Sequence, residues 1–216
     1  MDQKTDLASF RRYRIAAGTP PDHRAEAFLS RLEKHRFTPL DDAIEEDERA
    51  GWITAEHILD TRFTFEKVVH DPYVLFALRI DRRRVSRALL VAHVRIEEEA
   101  FRRATGSQRV PAKKRKEIRE QVRDRLIRET KPVPASYPAI WAIERGVVYF
   151  GNLAAKANDE FRLRFEETFD VELEALTPFA IASVRSGGEA AEIDRLLGTS
   201  PTKFAEAATS AALAAA

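Results

Sequence analysis

Pro111-Ala-Lys-Lys-Arg-Lys-Glu-Ile118-Arg-Glu-Gln-Val122-Arg-Asp-Arg-Leu126-Ile-Arg-Glu129 is the stretch on which the architecture turns. Its proline suits the first turn of a helix, where the missing amide donor costs nothing. Ile118, Val122 and Leu126 then recur every four residues and draw one narrow apolar stripe. So narrow a stripe predicts a helix that packs along one edge and projects its remaining surface into solvent. Upstream, Val85 to Arg103 reads as another helix, apolar in part at Leu89, Val94, Ile96 and Phe101, with Thr105-Gly106-Ser107 interrupting the two. Together they predict a projecting two-helix arm over residues 84–131.

The arm is also where the positive charge collects. From Arg102 to Lys131, twelve Lys or Arg stand against four acids, a local charge of +8. The whole chain nets +1, so everything outside that segment sums to −7. A field arranged this way draws polyanions to one place, and nucleic acid is the foremost of them. Lys113, Lys116, Arg123 and Arg128 fall away from the Ile118 stripe, whereas Arg115 and Arg119 flank it and can lay their methylenes over apolar surface. Lys113–Glu117 and Lys116–Glu120 are spaced for pairs within the helix. The expected phosphate-contacting set is Lys113, Lys114, Arg115, Lys116, Arg119, Arg123, Arg128 and Lys131. Asn and Gln are scarce where bases would be read, and no aromatic residue interleaves the basic segment. Base readout and single-strand stacking are therefore disfavoured, leaving contact with the backbone of a duplex.

Working outward, Phe10 to Ile15 reads as a strand ended by Gly18-Thr19-Pro20-Pro21. Asp22 is placed to cap a helix from about His23, with Ala27, Phe28, Leu32 and His35 on one face, and Pro39 closes that unit. Three strand candidates follow at Gly51–Ile53, Arg62–Val68 and Tyr73–Ile80. Beyond the arm, Pro132, Pro134 and Pro138 read as a stiff connector. Ala139–Ile143 and Val147–Phe150 form a hairpin about Glu144-Arg145-Gly146. Ala154–Phe169 is an amphipathic helix marked by Ala157, Phe161, Leu163, Phe165 and Phe169. Val171–Val184 reads as a strand broken at Pro178, Gly187-Gly188 as a turn, and the alanine-rich end as helix or disorder. The order predicts an α+β protein with antiparallel or mixed sheets, packed helices and a weak internal duplication. Its expected divisions are an α+β unit at 1–83, the arm at 84–131, a second α+β unit at 132–185 and a tail at 186–216.

Several residues, taken in order, resemble the bacterial recombination-associated RdgC family. Tyr13-Arg14-Ile15 is similar to its opening strand. Phe37-Thr38-Pro39 with Gly51-Trp52 resembles a short early pattern, and Phe76-Ala77-Leu78-Arg79 the strand that leads to its arm. Lys114-Arg115-Lys116-Glu117-Ile118-Arg119-Glu120-Gln121-Val122 resembles its basic arm helix. Trp141-Ala142-Ile143 and Ala155-Lys156-Ala157-Asn158-Asp159-Glu160 resemble its later strand and helix. The resemblance runs over residues 10 to 180. It implies a homodimer that binds double-stranded DNA with little sequence preference and limits access of the RecA recombinase. Family members are longer, so the chain resembles a C-terminally shortened one. Where the family carries a Leu-Pro-Arg-Ala-Phe-like turn, this chain has Ile127-Arg128-Glu129-Thr130-Lys131-Pro132.

Signs of catalysis are sparse. With no cysteine, thiolate metal sites and thiol nucleophiles are excluded, and a reducing cytosol is the expected compartment, with nucleoid association following from DNA binding. The sequence shows no secretory h-region and no apolar run long enough to span a bilayer, so no membrane partner is expected. His23, His35, His57, His70 and His93 match no ligand spacing. The acids Asp41, Asp42, Glu45, Glu46, Asp47 and Glu48 lack the pattern of a calcium loop and read as a solvated loop. Glu97, Glu98 and Glu99 read as partners for nearby arginines. Neither a phosphate-cradling glycine loop nor a nucleophile elbow occurs. The reading is a non-enzyme without cofactor, metal or catalytic residue. Its rivals are an arm that docks an acidic protein partner without DNA, and a metal-dependent nuclease built on the acidic loop.

Overall fold

The computed structural model describes residues 9–40, 46–185 and 190–200. Its first unit, Met1–Glu174, is built on a twisted sheet of seven strands. They are β1 (Arg11–Ala17), β2 (Glu48–Ile53), β3 (Val69–His70), β4 (Tyr73–Arg82), β5 (Val133–Ala142), β6 (Val147–Phe150) and β7 (Glu172–Ala175). The order is β2-β4-β5-β6-β1-β7, with β3 pairing the start of β4. Neighbours from β2 through β1 run antiparallel. The fold is α+β, and the segments on either side of the arm share this one sheet rather than forming two separate units.

Alternation along the strands sends Tyr13, Trp52, Val74, Phe76, Leu78, Trp141, Val148 and Phe150 to one face, where all are buried. Two helices cover that face: α1 (Glu26–Lys34) through Phe28 and Leu32, and α5 (Ala155–Phe169) through Ala157, Phe161, Phe165 and Phe169. The result is an aromatic core. Phe161 stacks on Phe150 with centroids 4.1 Å apart, and Phe169 lies 5.1–5.2 Å from Trp141 and Phe28. Two of the core's polar groups find hydrogen-bond partners, whereas the buried Trp141 Nε1 has none among the described residues. The Tyr13 hydroxyl donates to Asn158 Oδ1 at 2.6 Å, and Trp52 Nε1 donates to Thr168 Oγ1 at 2.8 Å. Burial raises the Tyr13 pKa and keeps its phenol neutral. Gly51 is required by close backbone approach: a Cβ there would lie 2.3 Å from the Phe37 Cα. Phe37 N–H donates to the Trp52 carbonyl at 2.8 Å, fixing that approach.

Several expected elements differ. Arg62–Val68 is not a strand. Asp60 accepts from the Arg62 amide and the Lys67 ammonium, and a short helix α2 (Phe65–Val68) forms instead. Asp22 does not cap α1. It accepts from the Arg24 amide in a preceding turn, and the helix begins three residues later after Ala25. Pro134 and Pro138 lie within β5 rather than in a connector. The Pro138 carbonyl accepts from Gly151 on the β6 side, so its imino nitrogen faces that side too, as does that of Pro134 four residues away. The ladder with β6 ends at Ala139↔Phe150, so Pro138 sits at its very end against Gly151 and Pro134 lies beyond it, where a missing donor interrupts no ladder. Leu163 is exposed, and Ala27 with it. Val171–Val184 splits into β7 and helix α6 (Pro178–Arg185), with Pro178 in the first helical position and Thr177 Oγ1 accepting from the Ala180 amide. In the second unit, Ala175–Ala216, α6 is followed by α7 (Ala190–Leu197). The Gly187-Gly188 turn and the alanine-rich end lie outside the described residues.

Glu48 ties three elements of the first unit together. Its carboxylate meets Arg82 of β4 at 2.9 Å and Lys156 of α5 at 2.5 Å. Burial pushes this carboxyl up, but the hydrogen bonds from Arg82 and Lys156 outweigh that and hold it below its ordinary value. A depressed carboxylate stabilises the fold above its unfolded-state pKa and loses that contribution as pH falls through the folded one. Glu48→Gln should therefore lower stability by about 1–2 kcal/mol near neutral pH. Urea midpoints of the two proteins should converge as pH falls to about 3. A gap that stays constant with pH would contradict the assignment.

Candidate nucleic-acid interface on the helical arm

The arm replaces a β-turn. β4 and β5 pair antiparallel to the register Arg82↔Val133, and between those residues rise α3 (Arg87–Thr105) and α4 (Ala112–Glu129). Ser86 starts α3 by accepting from the Leu89 amide, and Gly106 ends it in the left-handed conformation at φ 65°. Eighteen residues make α4 about 27 Å long. Ile118, Val122 and Leu126 are its only buried residues, and they join Val110, Val85, Leu90, Val94 and Phe101 in a small core belonging to the arm alone. The narrow stripe thus does what its width predicted. At the root, Arg123 reaches Asp47 beside β2 at 3.5 Å.

Charge on the arm is divided by pairing. Including its root and α3, residues 83–131 hold sixteen Lys or Arg against seven acids, a net +9. Glu97 pairs with Arg125 and Glu98 with Arg115, both across the two helices at 3.1–3.2 Å, while Glu99 lies 3.9 Å from Arg103. Lys114 meets Glu117 at 3.0 Å, leaving Lys113 without the Glu117 partner that spacing alone predicted. Lys116 lies 3.8 Å from Glu120. Arg128 Nε donates to the Asp124 carbonyl. Of the eight expected phosphate-contacting residues, Lys113, Arg119 and Lys131 are exposed and have no partner among the described residues. Lys114, Arg115, Lys116 and Arg123 are engaged, and Arg123 serves the arm's attachment. Arg102 and Arg109, at the far end beside the Gly106 turn, are also exposed and unpaired among the described residues. They were missed as site residues because linear spacing does not show which cations the arm's acids leave unpaired.

Features bearing on the rival readings are equally specific. Asp41, Asp42 and Glu45 lie outside the described residues, while Glu46 binds Arg49, Asp47 binds Arg123 and Glu48 binds Arg82 and Lys156. Among the described residues, no three His, Asp or Glu side chains gather as a metal site. His23 pairs with Asp71 at 2.7 Å, and His57 Nδ1 accepts from the Leu59 amide. No helix among the described residues is long and apolar enough to cross a membrane. Neither the models of known protein families nor the curated proteins match this chain.

Proposed function

We propose that this protein binds double-stranded DNA without sequence preference, through the arm, and restrains homologous recombination by occupying duplex that the RecA recombinase would otherwise use. The observation that carries the reading is a set of exposed cations with no ion-pair partner among the described residues, five of them, Arg102, Arg109, Lys113, Arg119 and Lys131, in the basic stretch of a net +9 helical arm. Phosphates reward unpaired cations because no internal ion pair has to be broken first. An arm about 27 Å long covers about eight base pairs at 3.4 Å of rise. The resemblance to the RdgC family supports the recombination role and adds a homodimer. Occupancy needs no chemical step, cofactor or metal.

Affinity for duplex should fall linearly with salt on logarithmic axes, with a slope near −4.5 if all five cations meet phosphate, at about 0.9 each. Fluorescence anisotropy over a salt series, on two duplexes of unrelated sequence, measures this. Affinity indifferent to salt, or confined to one sequence, would sink the proposal. The mass of the protein in solution, read with and without duplex, tests the dimer. A strict monomer in both conditions removes it.

A further inference from the structure

We infer that the arm carries a second binding surface, which shares only its cationic rim with the duplex-contacting set: a groove between α3 and α4 that accepts a short acidic peptide with apolar anchors. The groove encloses about 420 Å³. Its floor is apolar, made by Leu90, Val91 and Val94 of α3 and Ala112 of α4. Leu90 and Val94 also pack into the arm's own core, so the floor is anchored, whereas Val91 is not part of that cluster. The rim is cationic. Arg95, Arg115, Lys116 and Arg119 surround it with Glu98 as the single acid, and Glu98 is already paired to Arg115 at 3.2 Å. Arg95 and Arg119 have no partner among the described residues.

Charge and shape together select the occupant. Phosphates have nothing to gain from an aliphatic floor, so a duplex can use the rim but leaves the groove empty. A peptide with leucine-like side chains on one face and carboxylates on its flanks satisfies both features at once. The α3 lining, from Leu90 to Glu98, spans about 12 Å along the helix axis, which corresponds to about two turns of a helical ligand. Such a segment would complete a three-helix arrangement and bury the floor.

The probe is a fluorescein-labelled acidic amphipathic peptide with leucines on one helical face, set against polyglutamate of equal charge. Anisotropy should show binding of the amphipathic peptide, and polyglutamate should bind about tenfold more weakly or less, since burying one aliphatic side chain is worth that factor. Val91→Ser should weaken the amphipathic peptide by about tenfold and leave both duplex affinity and the melting temperature in place. Arg95→Glu, at an exposed position that no apolar packing depends on, should weaken it similarly and serves if the serine variant proves unstable. Equal binding of polyglutamate, or unchanged binding by both variants, would overturn the inference. A parallel loss of duplex affinity in Val91→Ser would assign the groove to DNA and overturn it as well. Duplex binding by the unaltered protein is read in the same series, so either reading can fail alone.

Discussion

Phe161→Ala should cost about 3–5 kcal/mol, the largest loss expected of any single substitution here, while Leu163→Ala two positions along the same helix should change stability by no more than about 0.5 kcal/mol. Hydrophobicity alone would rank the two alike. What separates them is where α5 points. Phe161 is fully buried, with ring contacts to Tyr13 of β1, Trp52 of β2, Phe150 of β6 and Phe165 of its own helix. Its removal opens a cavity whose walls lie on rigid strands and cannot collapse. Leu163 is 55% exposed and returns little surface to water when truncated. Total stabilities of about 5–15 kcal/mol mean that the first change consumes a large fraction of the fold's margin. Urea midpoints, with unchanged slope, measure both. Comparable losses in the two variants would mean that α5 is rotated from the orientation described.

The same contrast shows what the sequence made legible. Period and breaks located β1, β4, the β5–β6 hairpin, α5 and both arm helices, because each rests on local alternation or on a stripe that tertiary packing reinforces. The failures lie where a local pattern was overruled by a partner far away or by a polar side chain nearby. Pro134 and Pro138 looked like a connector because their tolerance depends on how far β6 extends, which only the pairing register reveals. Arg62–Val68 looked like a strand because the hold of Asp60 on Arg62 and Lys67 competes with extended pairing. In the arm, the basic segment and its stripe were plain, whereas the division into paired and unpaired cations was not. Arg115 and Arg125 are tied across the helices to Glu98 and Glu97, and Arg123 to Asp47, in each case from far along the chain.

That division sets the second large effect. Alanine at Arg102, Arg109, Lys113 and Arg119 together should reduce duplex affinity by about three and a half orders of magnitude at 0.1 M salt, since each phosphate contact contributes about 0.9 of a decade there relative to 1 M. The salt slope should become shallower by about 3.6. Alanine at Lys114, Arg115, Lys116 and Arg123 removes the same formal charge from the same arm, yet these four already face Glu117, Glu98, Glu120 and Asp47. Their loss acts on DNA mainly through the long-range field, screened over about 10 Å at 0.1 M salt, so the slope should change much less. The second variant should instead loosen the arm, through the cross-helix Arg115–Glu98 pair and the Arg123–Asp47 attachment. Exposed pairs of this kind are worth at most about 1 kcal/mol each. If duplex occupancy is the mechanism, inhibition of recombinase-driven strand exchange should collapse in the first variant in proportion to its lost binding. Pre-coating the duplex should inhibit more than adding protein to preformed filaments. Equal slopes for the two variants would mean that phosphates displace the internal acids and that pairing does not select the contacts. A first variant that inhibits fully while failing to bind duplex would place its action on the recombinase itself.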